Sequence, residues 1–521
     1  MTAANEATAH ARATADFLDG SAAANAALSE AVALMLDTLA THEGRRPCPA
    51  RSPDELRARV TAIDPIPEDG APLADVLADV GEVLLAHGVR LADPWCAAHL
   101  HPPVLIPAAA TELAIGVSNQ SMDSYDQAPA ATFAEDHLVH SLARLLGLAG
   151  SSPEPSGVLT AGGTSSNLLG LLLAREHAHR EAAGSAVGVS SRGLPENAGA
   201  WRVLASDGAH ASVRQATAVL GLGRDAVVPV ATGPTGAMDI DALDDAWRRL
   251  TDAGQSAIAV VGTAGTTDSG AIDPLDELAD RTTAHGAWFH VDAAVGAGLA
   301  LSDRQRSRLR GIERADSITA DLHKLWWQPI GASALLVRDA ASLRGVREPA
   351  DYLNRHDDGD VLNLVERSLD TSRRFDALKV LVSVRATGRR TLGGYVDHLV
   401  DLATQAGTLV DTHPDLELVA APQTVTVLFR CRPASTASLD GGHIQDASDD
   451  EHVDALNTRV QRDLLARGRA VIGRTRWRGR VALKLTLVNP LATTADIAAL
   501  LDTVAAAGRS SQLAEHEEVA G

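Results

Sequence analysis

The sequence predicts an α/β protein: a helical arm, a large domain on a mostly parallel sheet, and a smaller α+β domain that closes the chain. Three observations carry this. Residues 1–95 repeat apolar side chains at helical spacing, residues 96–370 alternate short apolar β runs with amphipathic helices, and residues 371–508 mix helices with hairpin-like runs. A length of 521 residues with 45% hydrophobic content suits about two to four domains sharing a large core.

In the arm, Ala26, Leu28, Val32, Leu34 and Leu36, and later Leu73, Val76, Leu77 and Val80, recur at helical spacing on either side of a Pro-rich stretch between Pro47 and Pro67. The large domain then reads WRVLASDG (β), HASVRQATAVLGLG (α), AVVPVAT (β), DIDALDDAWRRLTDAG (α), AIAVVGTAG (β), PLDELADRTTAHG (α) and AWFHVDAA (β). Such alternation predicts βαβ units on a sheet buried on both faces. The strands SITADLHK and ALLVRD follow with less helix between them, which marks the end of that sheet. Past Thr371 come a long helix containing RRFDALKVLVSVRATG, a strand QTVTVLFRC, a helix HVDALNTRVQRDLLARG, a hairpin RWRGRVALKLTLV and a final helix TTADIAALLDTVAAAG. By composition, Ala182 to Ala200, Gly345 to Asn363 and Ser435 to Asp450 read as flexible loops, and residues 509–521 as a disordered tail.

Net charge narrows the partners. With 46 basic against 67 acidic residues the chain carries −21, which argues against nucleic acid and favours small cationic or zwitterionic ligands. Cys48, Cys96 and Cys431 lie too far apart in sequence for a disulfide framework or a metal motif, so no metal is expected and a reducing cytoplasm fits. No basic leader precedes an apolar run and no stretch has eighteen uninterrupted apolar residues, so neither a signal peptide nor a membrane span is expected. Lysine occurs only at Lys324, Lys379 and Lys484, and arginine supplies the other 43 positive charges. A lysine kept in such a chain suggests amine chemistry, since only an amine condenses with a carbonyl. Lys379 sits in a helical pattern among arginines and Lys484 in an alternating strand, so both read as surface residues, whereas Lys324 follows a β run and precedes Trp326 and Trp327. That setting predicts a partly desolvated, nucleophilic amine.

Four further groups could share a site with it. In LTAGGTSSNLLGLLLAR, Gly162, Gly163, Thr164 and Ser165 open an apolar helix whose free N–H groups would hold a phosphate, unless Thr164 merely caps the helix. Asp292 ends the strand FHVDAA, where an open α/β sheet places ligand contacts; a turn cap is the other reading. His210 stands at a strand-to-helix transition and either lies over a planar ligand or packs structurally, and Thr266 and Thr267 either line a site or start a turn. A phosphate cradle, a stacking histidine, a strand-end aspartate and a reactive lysine, in that order, describe a pyridoxal-phosphate site.

The segments NQSMDSYDQAPAATFAE, AGGTSSNLLGLLLAR, HVDAAVGAG, DLHKLWWQPIGASALLVRD and TSRRFDALK resemble the group II pyridoxal-phosphate-dependent amino-acid decarboxylases, over roughly residues 70–500. AAHLHPP and SMDSYDQAP are most similar to the 2,4-diaminobutyrate and siderophore-type lysine decarboxylase branch. The resemblance implies a fold-type I transferase-like architecture with a seven-stranded sheet, pyridoxal 5'-phosphate as cofactor, and a cytoplasmic homodimer with its active site at the subunit interface. It also implies roles: Lys324 bonds the cofactor aldehyde, Asp292 partners the pyridine nitrogen, His210 stacks on the ring, and Gly163, Thr164 and Ser165 hold the phosphate. Ala294 matches the small residue under the ring, His323 the histidine beside the lysine, Thr266 a cofactor contact, and Tyr352 the loop tyrosine that reprotonates Cα. His101, Asp123 and Asp126 fall near the substrate entrance in that comparison. Where many members read HVDAAYGG this chain has Val295 and Ala297, so substrate fit differs. The implied activity is decarboxylation of an L-amino acid to its amine, with a diamino acid favoured. Aromatic, acidic or branched aliphatic substrates, an oxidative or transaminating course, and a catalytically silent homologue are the alternatives.

Overall fold

The computed structural model describes residues 16–44, 46–148, 154–184, 187–347, 361–432 and 447–520. Its helices are α1 (Ala22–His42), α2 (Pro53–Thr61), α3 (Leu73–Val83), α4 (Ile106–Ser118), α5 (Pro129–Leu145), α6 (Gly163–Ala183), α7 (Ser212–Val219), α8 (Ile240–Asp252), α9 (Leu275–His285), α10 (Ala377–Thr387), α11 (Arg389–Thr412), α12 (Ala447–Ala466) and α13 (Thr494–Ala520). Twelve strands form two sheets among the described residues. The larger holds β2 (Ser156–Thr160), β3 (Trp201–Ser206), β4 (Val227–Val230), β5 (Ser256–Thr263), β6 (Trp288–Asp292), β7 (Ser317–Asp321) and β8 (Ser333–Val337), in the spatial order β2-β8-β7-β6-β5-β3-β4. From β4 to β7 neighbouring strands are parallel, and β8 runs antiparallel to both β7 and β2.

This is the fold-type I architecture expected from the sequence. Every residue of β6, β7 and β8 is buried, as a sheet covered on both faces requires. One apolar cluster joins that sheet to α5, α8 and α9, and a second packs α6 and α7 on the opposite face. A third forms the centre of the smaller sheet, built from β1 (Cys96–Ala97), β9 (Leu416–Ala420), β10 (Thr426–Cys431), β11 (Val471–Trp477) and β12 (Arg480–Thr486) in the order β1-β11-β12-β10-β9. Cys96 and Ala97 pair in parallel with Val471 and Ile472, so the start of the expected large domain is woven into the C-terminal sheet.

Several expectations change. Lys379 is not a surface residue: it is fully buried, 2.8 Å from Glu112 and 2.9 Å from Asp376. Lys484 is also buried, its Nζ donating to the Thr267 carbonyl at 3.0 Å. Residues 509–520, expected as a tail, continue α13 to Ala520. The expected loop from Ala182 to Ala200 contains a helical turn at Val189–Arg192 and a 3₁₀ turn at Glu196–Ala200. Arg373 and Arg374 lie outside any helix, and Gly388, at φ 83°, separates α10 from α11, a conformation that suits glycine. α1 is long and apolar enough to cross a membrane by length and composition, although Glu30 and Asp37 interrupt it.

Candidate functional site

Parallel strands end on the same side of a sheet, and their carboxyl ends form the crevice where α/β proteins bind ligands. Here β3 ends at Ser206, β5 at Thr263, β6 at Asp292 and β7 at Asp321. A cavity of about 300 Å³ at this edge is lined by Gly162, Gly163, Thr164, Asn167, His210, Thr263, Thr267, Asp292, Ala294, His323 and Lys324, with Asp321 beside them. Most of the predicted site therefore converges.

Lys324 is presented by a tight turn after β7. The N–H groups of Leu322 and His323 both donate to the Ala332 carbonyl, at 2.9 and 3.1 Å, and Trp327 N–H closes the turn onto the Lys324 carbonyl at 3.1 Å. Trp327 adopts φ 52°, a strained choice for a bulky residue, and is held there by burial and by its indole N–H donating to the Val488 carbonyl at 3.0 Å. The amine does not sit in a purely apolar setting, as expected, but 2.8 Å from the Asp321 carboxylate. His323 Nδ1 donates to the Ala332 carbonyl at 2.8 Å, which fixes its ring beside the lysine.

The helix opening leaves its first backbone N–H groups without a side-chain partner. α6 begins at Gly163, its N-cap position is Gly162, and no side chain caps it. Thr164 is thus not a capping residue. A Cβ on Gly163 would come within 2.9 Å of Asp321 Oδ2, so glycine is needed where helix and strand end meet. Ser165 does not line the cavity, and its N–H is spent on the Gly162 carbonyl at 3.0 Å.

Asp292 is 5% exposed and accepts from Asn167 Nδ2 at 2.8 Å and from the Ala294 N–H at 3.1 Å. Both donors are neutral, and no cation pairs with Asp292 among the described residues. His290, two residues away and fully buried, is no substitute, since burial pushes its pKa down to about 4 against the pull of Asp292. A buried carboxylate without a counter-charge is costly. The deficit fits a protonated pyridine nitrogen, the uncapped helix end fits a phosphate, and the lysine fits an aldehyde, so the residues present suit pyridoxal phosphate.

Other expectations fall outside the cavity. The Thr266 hydroxyl is turned into its own loop, 2.7 Å from Ser269 Oγ and accepting from the Ala271 N–H at 3.0 Å, while Thr267 takes the lining position under the grip of Lys484. His101 lines a neighbouring hollow of about 460 Å³ with His99, Cys96 and Arg474; burial, aided by the charges of His323 and His99, lowers its pKa. Asp123 and Asp126 bond within their own loop, to the Ser124 N–H at 2.7 Å and the Ser124 hydroxyl at 2.5 Å. Tyr352 lies outside the described residues. Asn167 was not singled out from the sequence: an asparagine inside an apolar helix gives no local sign of partners on three other elements.

A family model described as the pyridoxal-dependent decarboxylase conserved domain matches residues 53–432. The chain is 40% identical over 456 residues to the L-2,4-diaminobutyrate decarboxylase of Rhizobium meliloti (strain 1021), covering 87% of this chain and 86% of that protein. It is 38% identical over 432 residues to the enzyme of the same name from Acinetobacter baumannii, covering 82% of each. Among solved structures, the glutamate decarboxylase domain of diaminobutyrate-pyruvate transaminase and L-2,4-diaminobutyrate decarboxylase from Vibrio parahaemolyticus superposes with a TM-score of 0.82 at 35% identity, over 95% of this chain and 97% of that one.

Proposed function

This chain belongs to the pyridoxal-dependent decarboxylase family, and from that footing we propose that it removes the α-carboxylate of L-2,4-diaminobutyrate, leaving propane-1,3-diamine and CO₂. It is a pyridoxal-phosphate-dependent carboxy-lyase acting on an amino acid. The choice of diamino acid is carried by the extended similarity to two diaminobutyrate decarboxylases. A net charge of −21 agrees with it, because a negative field draws in a substrate bearing a second ammonium group.

When bound, pyridoxal phosphate supplies an electron sink for the carbon that loses CO₂. The chain's own residues divide the remaining tasks. Lys324 would hold the cofactor through its aldehyde and yield it to the substrate amine. Asp292 would keep a proton on the ring nitrogen, and the Gly163 and Thr164 N–H groups would hold the phosphate with the dipole of α6 behind them. His210 would cover the ring from one side and small Ala294 would leave room on the other. We assign return of a proton to Cα to Tyr352, by family resemblance alone. The assembly we propose is a cytoplasmic homodimer with the site near the interface, a reading supported by the exposed apolar residues Ile106, Leu113 and Val117 on α4 and Met35, Leu36 and Leu39 on α1.

The test is direct: cofactor-loaded protein is incubated with 2,4-diaminobutyrate, ornithine, lysine, glutamate and aromatic amino acids while CO₂ and amine are measured. The expected result is fastest release with diaminobutyrate and none with a Lys324→Ala variant. Preference for another amino acid overturns the substrate, and undiminished turnover by the variant overturns the role of Lys324. Formation of an aldehyde in place of the amine overturns the proposed product.

A further inference from the structure

The groups behind the cavity form one hydrogen-bonded network whose donors and acceptors can be assigned completely. Asn167 stands at its centre. Its Nδ2 donates to Asp292 Oδ2 and to Ser212 Oγ, both at 2.8 Å, and its Oδ1 accepts from Thr319 Oγ1 at 2.7 Å and from His290 Nε2 at 3.0 Å. The amide cannot be reversed, because its carbonyl would then face the oxygens of Asp292. All four of its hydrogen-bonding positions are used.

That fixed orientation propagates in two directions. On one side His290 must carry its proton on Nε2, so Nδ1 is bare and accepts from the Ser317 hydroxyl at 2.8 Å, while Ser317 Oγ accepts from Trp288 Nε1 at 2.8 Å. On the other side Ser212 Oγ, which accepts from Asn167, lies 2.9 Å from His210 Nδ1 and turns its own proton to that nitrogen, because the ring atom there already acts as an acceptor. The Ser212 backbone N–H donates to the same nitrogen at 3.2 Å. Two donors converge on His210 Nδ1, which is therefore bare, and the proton of the neutral ring lies on Nε2. Gly170, one turn along α6 from Asn167, keeps the space this requires, since a Cβ there would come within 2.6 Å of His290 Cε1.

We infer that Asn167 is a positioning residue that fixes the proton placement of the site, holding Asp292 as an acceptor toward the cavity and His210 as a hydrogen-bond donor, not a base. An N–H offered by His210 suits an anionic partner such as the substrate carboxylate or a ring oxygen of the cofactor. The titratable groups around Asn167 are Asp292 and His290 from β6 and His210 before α7, with Asp321, His323 and Lys324 across the same cavity. The tautomers rest on the site being a pyridoxal one but are independent of which amino acid is the substrate.

The experiment is ¹⁵N NMR of histidine-labelled holoenzyme, with the His210 and His290 signals assigned by their loss in His210→Gln and His290→Gln. Both rings are expected to show a bare Nδ1 and a protonated Nε2. In Asn167→Asp, which keeps the shape but replaces the amide donor, His210 is expected to exchange between tautomers. The rate should fall about tenfold or more, as wrong tautomers cost elsewhere, with KM changed less than about threefold. The loss should deepen as pH rises, because the introduced carboxyl can donate only while it holds a proton. A wild-type His210 protonated on Nδ1 overturns the inference without any variant, and so does an Asn167→Asp enzyme with wild-type tautomers and pH profile. Either result leaves the amine and CO₂ assay, and hence the proposed substrate, untouched.

Discussion

Acidification should cost this protein stability through His290. The ring is fully buried, and its pKa falls from 6.5 to about 4, chiefly because burial penalises the charged form while Asp292 offsets part of that penalty. A second proton would also have to enter at Nδ1, where it would displace the Ser317 hydroxyl from its acceptor. Between pH 6.5 and 4 the unfolded chain binds a proton that the native state refuses, so the contribution is fully present above 6.5 and is lost as pH falls toward 4. The linkage amounts to about 2 kcal/mol by pH 5 and about 3 kcal/mol below pH 4. Unfolding entropy of about 2 cal/mol/K per residue makes this worth roughly 2 °C at pH 5 for a chain of 521 residues. Thermal melting of wild type and His290→Gln at pH 7.5 and pH 5 isolates the effect, because the variant's constant offset cancels. The gap should narrow by about that amount on acidification, and one of the 19 histidines should fail to titrate by NMR down to pH 5. A gap that stays constant or widens, or nineteen histidines with midpoints above about 5.5, refutes the reasoning.

Three other outcomes follow from the same contacts. Gly170→Ala, which would stabilise an unconstrained helix by about 0.5–1 kcal/mol, should instead lower the melting temperature, because the new methyl meets the His290 ring; a higher melting temperature would remove the steric claim. Lys379→Ala should cost about 3 kcal/mol in denaturant unfolding, since Glu112 and Asp376 lose a buried cation, and Lys379→Met should cost less by refilling the space. Equal costs would show that the lost cation alone matters there and that packing does not. Asp292→Ala should weaken cofactor binding at least tenfold, measured by absorbance titration, without lowering the melting temperature of the cofactor-free protein, because it removes a buried charge that has no cation partner among the described residues.

Position along the chain revealed the parts of the site that have a local signature. Asp292 ends an apolar strand, Lys324 follows another, and Gly162 and Gly163 open a helix, and each of these signals is written within a few residues. The residues whose setting departs from their local pattern owe it to distant segments. Lys379 looks solvent-exposed in a helix bearing arginines, yet Glu112 reaches it from α4, 267 positions away. Lys484 alternates like a surface strand residue, yet its amine meets the Thr267 loop from the other sheet. Asn167 takes its partners from Ser212, Asp292 and Thr319, at separations of 45, 125 and 152 residues, which no local pattern encodes. Thr266 and Thr267 differ only in which way a turn faces, a matter settled by Ser269 and Ala271 and not by the residues' identity.

The buried histidine also explains why the strand-end aspartate needs something from outside the chain. His290 is on the same strand as Asp292, and a protonated imidazole there would neutralise the carboxylate internally. Burial prevents it, and the Asn167 carbonyl and Ser317 hydroxyl are arranged to satisfy the neutral ring instead. The nearest lysine does not compensate either, since Lys324 is paired with Asp321. With both local cations withheld, the charge of Asp292 is left for a ligand to balance, and a ring nitrogen brought by the cofactor would gain most of the electrostatic energy that the fold has declined to spend on itself. The same logic forbids strengthening the empty protein at this point: any substitution that gives Asp292 a permanent partner should raise the stability of the cofactor-free chain and lower its affinity for the cofactor together.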